Sequence, residues 1–170
     1  VAPLRTLSGK IEITSRQIAA FQERAVYPHP AWYEPVEWLG RAGSTQQFHL
    51  ISSQPADKLH SQLDHGRISR AAKRNGRSPL RINPTDAAGL GLEENDCVRV
   101  SNARGAFLAT VVPDDGLMRG VVQVSTGAWL AAADQPDGTL LCFHGNPNTV
   151  TRDAGTSELA QGPVAHSCLV

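Results

Sequence analysis

Two polar runs carry the side chains that could do chemistry in this 170-residue chain. The first is Ser52-Ser53-Gln54-Pro55-Ala56-Asp57-Lys58-Leu59-His60-Ser61-Gln62, and the second extends from His144 to Gly162. A carboxamide offers two donors and an acceptor, so Asn146, Asn148 and Gln161 suit the edge of a heterocycle. With the hydroxyls, the histidines and the charges of Lys58, Arg152 and Asp153, the two runs suit a ligand bearing amides, ring nitrogens and phosphates. Neither pairs a nucleophile with its base. His60 adjoins Ser61, but no Gly-x-Ser-x-Gly elbow is present. Taken alone, the second run reads as a surface loop, because Gly, Asn, Pro and Ser cluster in loops for backbone reasons.

Other candidates reduce to structural readings. Cys97, Cys142 and Cys168 have no CxxC or zinc spacing, which argues against a disulfide frame or a structural metal. His29, His49, His65 and His166 read as surface or hydrogen-bonded structural residues. Trp129 could pack on a ligand or cap the core, and the core is the reading favoured. Arg67, Arg70, Lys73, Arg74, Arg77 and Arg81 form a basic stretch without interleaved aromatics. That favours a solvated face, or one touching another domain, over nucleic acid.

The elements that must position the two runs are mainly strands. Gly9 to Thr14 alternates as a short strand, Ser15 is placed to cap a helix over Arg16 to Arg24, and Tyr27 to Pro35 reads as an extended proline-rich arm. Arg41 to Thr45 is a linker. Strands are expected at Phe48 to Ser52, Asp96 to Ser101, Phe107 to Val112 and Gly120 to Ser125. A last one at Val164 to Val170 closes the sheet. Arg67 to Lys73 reads as helical. Asn83-Pro84-Thr85-Asp86 starts a short helix that stops near Gly89. The expected domains are an arm over 1–44 and a small β-barrel over 45–170.

Composition narrows the function. Lys plus Arg and Asp plus Glu number 16 each, so no field of one sign draws the whole chain to nucleic acid or an anionic membrane. No apolar run reaches membrane-spanning length. The first residue is Val1 rather than Met, so the chain is expected to be a fragment of something larger.

Several spaced motifs then resemble one family in order. They are Leu7-Ser8-Gly9-Lys10-Ile11-Glu12-Ile13, Leu59-His60-Ser61-Gln62-Leu63, Ile82-Asn83-Pro84-Thr85-Asp86-Ala87, Val98 to Gly105, Gly127-Ala128-Trp129 and Gly155 to Gly162. The chain resembles the C-terminal part of molybdopterin oxidoreductases of the dimethyl sulfoxide, trimethylamine N-oxide and biotin sulfoxide reductase branch. Ser53 to Gln62 looks nearest to biotin sulfoxide reductase.

The resemblance implies a six-stranded double-psi β-barrel with short bridging helices, closing over two molybdopterin guanine dinucleotides that hold molybdenum. It places cofactor contacts at Ser52, Gln54, His60, Ser61, Gln62, Asn146, Asn148 and Gln161. Many relatives carry His where this chain has Gln54. The family's molybdenum ligand lies in an earlier domain, so no catalytic or metal-ligating residue is expected here and the isolated chain is expected to be inactive. Expected partners are the other domains of the same enzyme. The expected compartment is cytoplasmic or periplasmic, with the biotin sulfoxide reductase likeness favouring the cytoplasm. A second reading is a stand-alone barrel that binds proteins without a cofactor. The amide-rich runs speak against it, because an adaptor groove would be more apolar.

Overall fold

Alternation between Cys97 and Val112, broken at Asn102-Ala103-Arg104-Gly105, dictates a hairpin, and the computed structural model contains it. It describes residues 2–21, 26–43 and 47–170. In chain order these form α1 (Arg16–Ala20), β1 (His49–Ile51), α2 (Arg67–Ala72), β2 (Pro79–Ile82), α3 (Pro84–Gly89), β3 (Cys97–Asn102), β4 (Gly105–Pro113), β5 (Val121–Val124), β6 (Ala132–Asp134) and β7 (Leu140–Cys142). The molecule is mainly β, with few and short helices.

Two compact bodies result, one of Val1–Glu34 with Gly155–Gly162 and the other of Pro35–Ala154 with Pro163–Val170. The larger body is a single curled, mixed sheet in the order β1-β5-β2-β4-β7-β6, with β3 on β4. Strand β4 organises it. One edge takes β3 antiparallel, with Val100 opposite Phe107. The other edge is shared by β7, parallel along Gly105 to Phe107, and β2, parallel along Thr110 to Pro113. Such a strand is covered on both faces, and Phe107, Ala109 and Val111 are fully buried accordingly. Leu50, Leu80, Ile82, Val122, Val124, Cys142 and Val150 complete the core around them. Each large side chain so buried contributes about 1.5–3 kcal/mol.

Among the described residues the sheet has seven strands, where six were expected. Strand β2 has four residues and β6 and β7 three each, too short for alternation to announce, so periodicity misses all three. The C-terminal segment closes the sheet less completely than expected. An antiparallel bridge, His49 to Leu169, forms there, with Phe48 and Val170 exchanging backbone hydrogen bonds at 2.8 and 3.0 Å and Leu50 N–H donating to the Cys168 carbonyl at 2.9 Å. The capped helix at Asn83 is as read, its side chain accepting from Thr85 N–H at 2.9 Å. Glu37 binds Arg104 in a bidentate pair at 2.7 and 2.8 Å, and the guanidinium holds its carboxyl below the usual carboxylate range.

In the smaller body, Ser15 caps α1 by accepting from Ile18 N–H. The helix ends at Ala20, and residues 22–24 of the longer helix expected lie outside the described residues. The strand expected over Gly9 to Thr14 does not form. Its backbone pairs with local side chains instead: Lys10 N–H donates to Ser8 Oγ, and the Lys10 carbonyl accepts from Thr6 Oγ1. Ile11 and Ile13 are left exposed. Alternation without a partner strand is not enough to make a strand. The proline-rich arm has no regular structure and stacks Tyr27 near His29 and Tyr33. Among the described residues, no helix is long and apolar enough to cross a membrane.

Candidate functional site

Strands β1 and β5 run parallel, His49 opposite Val121 and Ile51 opposite Gln123. Parallel neighbours deliver their C-terminal ends to the same rim, so the chain leaving β1 at Ser52 meets the chain leaving β5 at Thr126. Thr126 N–H donates to the Ser53 carbonyl at 2.9 Å, and the Gln123 amide donates to Ser53 Oγ. A third segment arrives after β7. Ser78, just before β2, binds the His144 carbonyl through both its N–H and its hydroxyl, at 3.2 and 3.1 Å. Asn146 then caps a 3-10 turn over Pro147–Thr149, its side-chain oxygen accepting from Asn148 N–H at 3.0 Å.

These segments enclose a cleft of about 680 Å³ in the larger body. It brings together Ser52, Gln54, His60, Ser61, Asn146 and Asn148, six of the eight residues singled out from sequence. Gln62 does not line it; its backbone N–H closes a turn onto the Leu59 carbonyl. Gln161 belongs to the smaller body, where its amide donates to the Ser157 carbonyl at 2.9 Å.

The wall from Ser52 to Asp64 is held without regular structure. His60 and Leu63 adopt left-handed backbone with φ of 50° and 60°, which is costly for residues with a Cβ. What stabilises this wall is Asp64, which sequence reading passed over. Its buried carboxylate lies 3.0 Å from Lys58 Nζ and 3.0 Å from Lys73 Nζ, and it accepts Trp129 N–H at 3.0 Å. Burial pushes its pKa up, but Trp129 N–H and the two lysines outweigh that and bring it down to about 2. Lys73 is thereby a partner of the cleft wall rather than part of a solvated basic face. Trp129 is a second correction. It does not cap the core but lines the cleft, 52% exposed.

Thr126, Gly127 and His166 also line the cleft and carried no sequence signal of their own beyond the Gly-Ala-Trp motif. The lining includes neither a carboxylate nor a Lys or Arg. Among the described residues no cluster of His, Cys, Asp or Glu could hold a metal ion. Ser52 Oγ and Thr126 Oγ1 are buried here without a hydrogen-bond partner in the protein. A buried hydroxyl without a partner costs roughly 1–3 kcal/mol, and a polar ligand in the cleft would relieve both. Together with the carboxamides they form a neutral set of donors and acceptors, suited to a flat heterocycle and to phosphate oxygens. They fit a molybdopterin dinucleotide and offer no nucleophile.

Comparison with known proteins agrees with this geometry. Residues 48–169 match the molydopterin dinucleotide binding domain family. The chain is 45% identical over 168 residues to biotin sulfoxide reductase from Cereibacter sphaeroides, an alignment covering 99% of this chain and 22% of that protein. It is 43% identical over 171 residues to trimethylamine-N-oxide reductase from Vibrio parahaemolyticus, covering 99% and 21% respectively. The solved structure of acetylene hydratase from Pelobacter acetylenicus superposes with a TM-score of 0.73 at 18% identity, over 99% of this chain and 24% of that one, which supports the fold alone. The chain spans about a fifth of the length of the two reductases it matches. It belongs to the molydopterin dinucleotide binding domain family.

Proposed function

We propose that this chain is the dinucleotide-holding part of a molybdenum enzyme that reduces S- or N-oxides. The observation that carries the reading is the cleft, where two buried, unpartnered hydroxyls stand beside an uncharged set of carboxamides. The family match and the two reductases support it.

Ser52, Gln54, His60, Ser61, Asn146 and Asn148 would hold the molybdopterin guanine dinucleotides from the cleft, with Gln62 as a further contact. Their role is binding and orientation. Ser52 and Thr126 hydroxyls donate to or accept from the heteroatoms of the group, and the carboxamides read its edges. When bound, the group supplies two-electron oxygen-atom transfer from the oxide. The molybdenum ligand and the substrate funnel belong to the other domains of the enzyme, so the chain alone turns nothing over.

The curled sheet is read as a double-psi β-barrel, with β6, which pairs only with β7, outside its six strands. Residues 1–44 form an arm and 45–170 the binding domain. Of the two compartments compatible with such relatives, the cytoplasm is favoured by the likeness to biotin sulfoxide reductase. The adaptor alternative finds no support in the family or the relatives.

The test is direct. Denaturing the full-length protein from its own source should release guanine nucleotide and molybdenum in fixed ratio. A fully folded protein containing neither would overturn the proposal.

A further inference from the structure

We propose that Trp129 is the stacking platform of this cleft, the surface against which a fused 2-amino-4-oxopyrimidine ring lies. Guanine and pterin share that ring chemistry, so either end of the dinucleotide qualifies. The inference rests on the reading of the cleft as a dinucleotide site.

The argument starts from the way the indole is held. Its ring N–H donates to the Ser61 carbonyl at 2.7 Å, and its backbone N–H donates to Asp64 at 3.0 Å. The His65 ring meets it edge to face, with centroids 4.6 Å apart. Asp64 is itself fixed by Lys58 and Lys73. Trp129 is therefore pinned through its ring N–H, its backbone N–H and one ring contact, yet half of the residue stays exposed in the cleft. A tryptophan whose only polar side-chain atom is already satisfied gains nothing from facing water, and leaving the ring uncovered forfeits burial of a large apolar surface. Holding it rigidly in that position makes sense when something flat covers it.

The neighbours specify what that is. Ser52 and Thr126, whose hydroxyls are buried without a partner in the protein, line the same cleft. Asn146 lines it as well, and no side chain of formal charge does. An aromatic face combined with neutral donors and acceptors binds a planar heterocycle by stacking plus edge contacts. A docked protein segment would ask for a more continuous apolar surface. Stacking of a base on an aromatic side chain changes affinity by roughly 5- to 100-fold.

The experiment uses the full-length enzyme as wild type, Trp129→Phe and Trp129→Ala, each prepared with cofactor and, from a host that does not make it, without. The first readout is the rate at which guanine nucleotide leaves the loaded protein. The second is the melting temperature of the cofactor-free protein. Trp129→Ala should lose nucleotide about tenfold faster, and Trp129→Phe, which keeps a ring, should stay near wild type. The cofactor-free forms should melt together. Equal release from all three proteins overturns the proposal while leaving the dinucleotide reading intact. So does faster release that follows a lowered melting temperature of the cofactor-free Trp129→Ala protein, because Trp129 would then be a structural prop. A wild-type protein that contains no guanine nucleotide overturns the dinucleotide reading itself, and this inference with it.

Discussion

At the scale of single residues, Asp64 decides more than any ligand-facing side chain. It is a buried carboxylate between two ammonium groups, each 3.0 Å away, and it also anchors Trp129. Replacing one member of such a buried network leaves the others uncompensated, which typically costs about 3–5 kcal/mol. Asp64→Asn keeps the shape but strands Lys73 and leaves Lys58 only Asp57, 3.6 Å away, so it should lower stability by about 3 kcal/mol at neutral pH. The pH dependence follows from the lowered pKa. Asp64 titrates near 2 when folded against an ordinary value of 3.8. Its charged form therefore stabilises the fold fully above about pH 4, and that contribution fades as pH falls from about 4 towards about 2. Denaturant titrations of both proteins across that range should show the gap between them widest above pH 4 and narrowing below it. A gap independent of pH would mean that the charge on Asp64 contributes nothing.

At the scale of elements, the cleft depends on two irregular segments packing backbone to backbone. Gly127 has a φ of +89°, and a Cβ built there would fall 1.8 Å from the His60 carbonyl oxygen. No rotamer avoids backbone, so Gly127→Ala must push the Gly127 to Leu130 wall away from the Ser52 to Asp64 wall. The expected result is a full-length protein with its sheet intact by circular dichroism but with most of its bound dinucleotide lost. Normal retention would show that the two walls tolerate separation. This contact also shows where sequence reading reaches its limit. The hairpin of β3 and β4 and the Asn83 cap were legible because their signals are local: alternation, a turn and a capping residue followed by proline. Asn146 and Asn148 were found as chemistry, since amides without an acid or base partner have few uses, whereas Ser52, His60 and Ser61 were singled out only through the family resemblance. The seating of Trp129 was not legible, because Asp64, 65 residues away, sets it through one hydrogen bond. Thr126 was missed for a related reason. Its hydroxyl matters only because β5 runs parallel to β1, a pairing that no local pattern announces. The strand expected over Gly9 to Thr14 failed in the opposite sense, with a local pattern present and no partner to complete it.

At the scale of the whole molecule, a charge-balanced chain that is a fifth of its relatives' length carries a cleft lined by no carboxylate, Lys or Arg. On the proposed function, this part holds the ligand and the chemistry lies elsewhere, which makes a prediction about how stability is distributed. The walls of the cleft lie outside the sheet ladder, so in the absence of ligand they should open with little free energy, whereas the β3–β4 ladder opens only with the core. A ligand that binds only the closed walls stabilises them by an amount set by its concentration over its dissociation constant, about 4 kcal/mol at a thousandfold excess. Amide hydrogen exchange on the full-length enzyme, compared with and without cofactor, should therefore slow together at Ser52 to Asp64, at Thr126 to Leu130 and around Asn146. Exchange in β3 and β4 should be unchanged, since those amides are already protected by pairing. The concerted response matters more than its size. Protection confined to one of the three segments would mean that the ligand touches that segment alone, and the cleft between them would lose its claim to be the site.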